Sequence, residues 1–523
     1  MQRLLLLVLA IFCITVCRSQ FKVISEGQIF DEPEEGYTKI LQLKNGNTLF
    51  LNFTFKDGIY VKPYDSKHKE GTEVHIDPSY GNFSKKSYNA FIEGIFEVAG
   101  DVLVFVGKVE KGNSKLYRMI IDGNTGKLKE DKVIYELDVS TLAFYIKKDQ
   151  YSENYAVLMM NGERSDKDRN IEAYHYDATN KVINHASYRS PENFFKYFEY
   201  VDMVVLGKDR ICVMTYAYNT KKSGGRASEF LLANITAGDS SIKMTKLSNT
   251  QNIESVKGRL KYNPVTKKII AVFCLKEDVK KGGYIPYIAF IDPQQNKIES
   301  TNIIAPTAAT AKSAEIFGDK NTFYGLPQNI YVNNDGSFIV VHEEISVTAW
   351  TSSSGTTTYL TTLGNIAVSI FSVTGAELGS YLIPKSHYLR GQELYPFYLA
   401  DRDGQAQKMD FGNQYKSFSY IDGVSKSYIL FNDIAENEER VEKGKLPNKI
   451  DGVADCDAYA YNIEGRNIMP GRKYVFGEPG RKEHNLAVFS VSDYDRNSNI
   501  YVTLKLAKDG RHKGVQLVWL QPS

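Results

Sequence analysis

The sequence predicts an all-β protein: a single β-propeller of about eight four-stranded blades, with seven as the alternative count, closed into a ring by its N-terminal strand. Three observations predict it. A short polar turn followed by a β-branched and aromatic run recurs at near-constant spacing. Those runs are continuously apolar rather than alternating. The two ends of the chain together make up one further repeat. Helical periodicity is nearly absent, with "ATAKSAEIFG" as a weak exception.

The recurring stretch reads "KNGNTLFLNF", "VAGDVLVFVG", "QYSENYAVLMM", "LGKDRICVMTY", "PVTKKIIAVFC", "NNDGSFIVVHE", "GVSKSYILFND" and "YDRNSNIYVTL". Aligned on Phe50, Val104, Val157, Val213, Ala271, Val340, Leu430 and Val502, the copies lie 54, 53, 56, 58, 69, 90 and 72 residues apart. The last three intervals read as the same period carrying insertions. The residues beside the anchors are also apolar, as in Leu49/Leu51, Leu103/Phe105, Ile270/Val272 and Ile339/Val341. A half-exposed strand would alternate. A continuous run needs cover on both faces, which radially stacked blades supply to their inner strands. The repeat length also fits a blade. Each run is followed by a second strand and a turn such as "DGNTGK", "DATNK" or "DPQQNK", with Asp, Asn and Gly where a hairpin reverses. At the ends, 21 residues follow Val502 and 30 run from Gln20 to Leu49, together about one period. "FKVISEGQIF" is therefore expected to supply the outer strand of the last blade, which removes an open edge.

The opening "MQRLLLLVLAIFCITVCRSQ" has a basic start at Arg3, an apolar run from Leu4 to Val16 and a small residue, Ser19, before Gln20. It reads as a signal peptide over residues 1–19, with 20–523 as one propeller domain exported to the periplasm or beyond. Lipid attachment at Cys17 is disfavoured, because Val16 stands where that processing takes a small residue. No later apolar run is long enough to span a membrane. Removing residues 1–19 takes away Arg3 and Arg18 and no acid, which leaves 62 basic residues against 62 acidic ones. A neutral chain with interspersed signs carries no electrostatic footprint for nucleic acid. Cys212, Cys274 and Cys456 match no zinc spacing and read as buried apolar-like thiols. "NFT" at Asn52, "NFS" at Asn82 and "NIT" at Asn234 are glycosylation sequons that matter only in a host that glycosylates.

Three insertions stand out, at 345–364, 385–416 and 434–457. Their places in the repeat put them on one face, the top, above units six and seven. Long loops on a rigid scaffold are where function tends to sit. The first carries Trp350 and Tyr359 in a Ser/Thr/Gly background. The second carries His387, Tyr388, Tyr395, Phe397 and Tyr398. Aromatics on polar loops suit sugars or a protein surface; they equally serve to pin loops onto the propeller. The third is charged, mixed in sign, and reads as solvated. His342, Glu343 and Glu344 leave the sixth apolar run toward this face. They join Trp350, Tyr359, Tyr388 and Tyr395 as the candidate ligand site, although position at a strand end by itself accounts for polar residues there. Asp493, Asp495, Asn497 and Asn499 begin like an oxygen-ligand calcium loop but lack its glycine and its downstream bidentate Glu, so no metal or other cofactor is expected beyond a weak Ca2+ candidate. "DRDG", with Asp401 and Asp403, reads as a turn. No catalytic residue is assigned: there is no G-x-S-x-G elbow and no H-E-x-x-H helix.

Nearly all of the mature chain resembles uncharacterised secreted bacterial β-propeller proteins. The resemblance is one of architecture. It shows no Trp-Asp blade signature, no kelch-type double glycine in register and no Asp box repeated per blade, so it implies no functional residues. The expected function is a binding or interaction module with a glycan or cell-envelope protein as partner. The alternative is a polysaccharide-active enzyme with carboxylates at the channel mouth. A third reading is a subunit of a cell-envelope assembly.

Overall fold

The computed structural model describes residues 21–523 apart from 84–89, 139–143, 161–170, 192–194, 220–227, 248–252, 278–282, 354, 411, 465–467, 482 and 510–511. The expected signal peptide over 1–19, and Cys17 within it, lie outside the described residues. Eight antiparallel sheets form the eight blades of a β-propeller. In chain order blades one to seven occupy 35–76, 90–137, 144–188, 197–246, 253–303, 326–383 and 419–474. Blade eight takes three strands from 487–522 and its outermost from the N-terminal Phe21–Glu26, which pairs with His512–Pro522 from Phe21↔Pro522 to Glu26↔Val518. Phe21 is buried against Tyr428 of blade seven, with ring centroids 5.0 Å apart.

The recurring apolar runs are the second strand of each blade, not the innermost. The first strands border the channel, where they meet water and polar side chains. The second strands have a neighbouring blade on both faces, and this is why they are apolar throughout. Tyr155–Met160 is buried at every residue. Eight apolar clusters fill the eight junctions between blades. Each fully buried Leu, Val or Phe there contributes about 1.5–3 kcal/mol. At the closing junction Trp519 is fully buried and its indole N–H donates to Thr48 Oγ1 at 3.1 Å, which ties blade eight to blade one. Gly258 marks how closely the first strand of blade five packs against the second strand of blade four. A Cβ there would come within 2.7 Å of Met214 and 3.0 Å of Phe273.

The "ATAKSAEIFG" stretch forms the helix Thr307–Phe317 between blades five and six. Cys212, Cys274 and Cys456 are unpaired and buried. Burial pushes the Cys212 and Cys456 thiols up to about 12. Asn82 is exposed. Asn234 is buried mid-strand and its amide donates to the Pro293 carbonyl at 3.1 Å, so no glycan fits on it.

Candidate functional site in the central channel

The three insertions sit at the end of the channel where the first strands begin. The first extends blade six as a β-ribbon. The second crosses the channel mouth. Its His387–Arg390 pairs with the ribbon, and its Gln407–Asp410 pairs with Glu35–Gln42 on the channel side of blade one. Between them, residues 399–405 form a plug. The Arg402 guanidinium donates to the Phe418 carbonyl at 2.7 Å, Ile95 N–H to the Gly404 carbonyl at 2.7 Å, and Lys39 Nζ to the Arg402 carbonyl. The third insertion forms the short helix Glu436–Glu442 and then zips to the second, with Tyr388 N–H donating to the Ile450 carbonyl at 2.9 Å.

Behind the plug the channel holds a cavity of about 630 Å³. First strands of blades two to eight line it, whereas that of blade one is covered by Gln407–Asp410. It extends to the opposite face, where Tyr151, Tyr262 and Arg496 stand at the first hairpin turns. Tyr151 is half exposed there. The wall alternates phenols with charges. Tyr145 stacks on Tyr200 at 4.1 Å, and Tyr331 lies 4.5 Å from Tyr420. Most charges are paired: Lys147 with Asp202 at 2.9 Å, Arg496 with Asp422 at 2.7 Å, and Lys261 with Asp403 at 3.7 Å.

Burial and pairing set these groups apart. Desolvation opposes the Asp202 carboxylate, but Lys147, Arg259 and the Leu260 N–H, 2.8 Å away, outweigh it and hold it below the usual carboxylate range. Burial raises Asp422 against the pull of Arg496, and raises Asp493 against that of Lys39. Glu93 differs from all of these. It is the extra residue of a β-bulge, since Ile92 pairs with Val106 and Gly94 with Phe105. The bulge aims it into the channel wall, where burial, unopposed by a cation, pushes its carboxyl up to about 8. Its side chain retains contact with the lumen although protein surrounds it. A carboxyl held protonated in neutral solution donates a hydrogen bond rather than accepting two.

The sequence-predicted site residues do not assemble into one cleft. His342 is fully buried, with neither ring nitrogen hydrogen-bonded, and burial lowers it to about 3. Glu343 is fully buried, accepting from Lys385 Nζ at 2.8 Å and the Tyr398 hydroxyl at 2.6 Å behind the plug. Glu344 accepts from the Tyr324 and Asn365 backbone N–H groups. Trp350 is exposed on the ribbon, opposite Thr358, and Tyr359 lies half-buried opposite Ala349. Tyr388 lies under Lys449, and Tyr395 under Lys257 from blade five. Asp493 faces the channel and accepts from Gln42 N–H at 2.7 Å. Asp495 accepts from the Asn497 and Ser498 N–H groups of its own turn, and Asn499 donates to the Pro522 carbonyl. Among the described residues no three His, Cys, Asp or Glu are grouped to share a metal ion, and no helix is long and apolar enough to cross a membrane.

Glu93, Asp202, Tyr331, Tyr420 and Arg402 escaped the sequence reading. For the first four the signal is a polar or Tyr interruption one strand before each apolar run, as in "FIEGIFEV", "YFEYVDMVV" and "NIYV", whereas Arg402 lies within the "DRDG" of the second insertion.

No family model matches the chain, and no curated protein matches it. Among solved structures it is similar to an uncharacterised protein from Listeria monocytogenes at 12% identity, covering 82% of this chain and 98% of that one with a TM-score of 0.32. A protein of unknown function from Bacteroides caccae is 14% identical over 52% of this chain and 83% of its own, with a TM-score of 0.28. An endo-arabinanase from Bacillus licheniformis is 12% identical over 52% of this chain and 100% of its own, with a TM-score of 0.27.

Proposed function

We propose that this propeller is an exported carbohydrate-binding module that takes a short polyhydroxylated segment into its channel cavity from the face of the first hairpin turns. The observation that carries this reading is the wall itself. Phenol rings offer flat apolar faces, and the carboxylates, ammonium and guanidinium groups between them offer acceptors and donors in near balance. A neutral ligand dense in hydroxyls uses both kinds, whereas a charged ligand would leave one sign unmatched. The cavity volume lies in the range typical of small-molecule sites. Export rests on the leader-like residues 1–19.

The test is a glycan array followed by calorimetry on the best ligand. Tyr331→Ala and Tyr420→Ala are each expected to weaken binding roughly ten-fold, about 1.4 kcal/mol. A blank array, with no thermal stabilisation by any oligosaccharide, overturns the reading.

A second reading, hydrolysis of a glycosidic bond, is favoured by one observation. Glu93 and Asp202 line the same cavity, burial raising the one carboxyl while Lys147 holds the other down, a contrast that acid–base pairs use. New reducing ends released from a polysaccharide by wild type and not by Glu93→Gln would support it. Equal release by both proteins would remove it.

A further inference from the structure

The first insertion carries a strand edge with no strand paired to it among the described residues. The second and third strands of blade six, Phe338–Thr351 and Thr357–Phe371, run on past the blade as a ribbon, from Ile345↔Leu363 to Thr351↔Thr357. One side of the ribbon is occupied: His387–Arg390 pairs with it, and Gly391 N–H donates to the Tyr359 carbonyl at 2.9 Å. On the other side the first strand of the blade begins at Leu326, opposite Glu343. Residues 345–351 therefore have no strand beside them among the described residues.

The ribbon's own hydrogen bonds fix which groups are free. Its turn closes with Ser352 N–H donating to the Thr356 carbonyl at 2.9 Å. Antiparallel pairs alternate between bonded and non-bonded, so Trp350, Thr348 and Ser346 bond inward to the third strand. Ile345, Val347, Ala349 and Thr351 then point their N–H and C=O groups outward. The same parity turns the Tyr359 carbonyl, opposite Ala349, outward on the far edge, where Gly391 meets it.

We propose that this edge is the interface of a homodimer in which two copies lay strand 345–351 antiparallel across a two-fold axis at Thr348. Open edges are normally blunted by charge or proline, and residues 345–364 contain neither. A second copy is the occupant that this chemistry fits. An isologous antiparallel pair sets the edge against itself, so any charge on it would face its own like; this edge has none. About Thr348 the outward groups mirror one another. Val347 falls opposite Ala349 of the second copy and Ile345 opposite Thr351, each pair exchanging both backbone bonds. Trp350, 63% exposed, falls opposite the small Ser346, and does so on both sides of the axis. The inference is independent of what the channel binds.

Sedimentation velocity across the micromolar range tests it, with Val347→Lys as the decisive variant. Wild type is expected to pass from monomer to dimer with concentration. The substitution should weaken association at least ten-fold while leaving the melting temperature and circular dichroism unchanged. Hydrogen exchange adds a readout of parity. The amides of Val347, Ala349 and Thr351 should slow as dimer forms, whereas those of Thr348 and Trp350 should be protected at every concentration. A wild-type chain that stays monomeric throughout overturns the proposal, as does a Val347→Lys variant that associates as well as wild type.

Discussion

At the scale of single residues, buried polar groups divide into those with partners and those without. Glu343 and Lys385 are both fully buried and 2.8 Å apart, in the junction under the plug. Burial lowers the Lys385 ammonium, and Glu343 opposes that shift. Glu343→Ala is expected to cost about 3–5 kcal/mol, because it leaves a charge uncompensated in the interior. Replacing both residues by Met should recover most of that loss in urea denaturation, since well-packed apolar residues often substitute for a buried pair. Glu93 makes the opposite case. Its folded-state carboxyl titrates near 8 against an ordinary 4.5, so the unfolded chain gives up that proton first. Its influence on stability is therefore absent below pH 4.5, becomes steadily more unfavourable as pH rises, and levels off above about 8. Glu93→Gln should match wild type near pH 4 and be the more stable protein at pH 8. Denaturation midpoints at the two pH values measure the difference.

At the scale of elements, the second insertion does the most to shape the molecule. It leaves blade six, crosses the channel, lends a strand to blade one and returns to blade seven. The plug in its middle is held at particular points, with Leu399 and Ala400 set into the apolar junctions on either side of blade six and the Arg402 guanidinium anchored at Phe418. Arg402→Ala should raise amide exchange across residues 397–406 by an order of magnitude or more while leaving blade amides unchanged, because local opening follows local contacts. The position and length of this insertion were legible in the sequence. Its path was not, because it depends on Gln407–Asp410 finding an edge that belongs to residues 35–42. Likewise "FIVVHEE" reads correctly as a strand following a hairpin turn. That His342 and Glu343 end in a closed junction depends on which side blades five and seven approach.

At the scale of the whole molecule, the ring is held by eight similar apolar junctions and one covalent discontinuity, inside blade eight. Phe21–Glu26 closes that blade, and Phe30 bridges back to Val515. A chain lacking residues 21–30 should melt at a markedly lower temperature and aggregate, since the edge of His512–Pro522 would be left open. Calorimetry with light scattering measures both. The sequence by itself determined the propeller, its repeating blade and its closure by the N-terminal strand, and left the count at eight or seven, because strand period, turn chemistry and burial on both faces are local properties written into every copy. Only the tertiary structure decided where a ligand could enter. Bulges at residues such as Glu93 aim side chains at a common axis, and the plug closes the insertion face, so the cavity reaches the opposite one. Both facts arise from residues hundreds of positions apart meeting around that axis, and no local pattern records such a meeting.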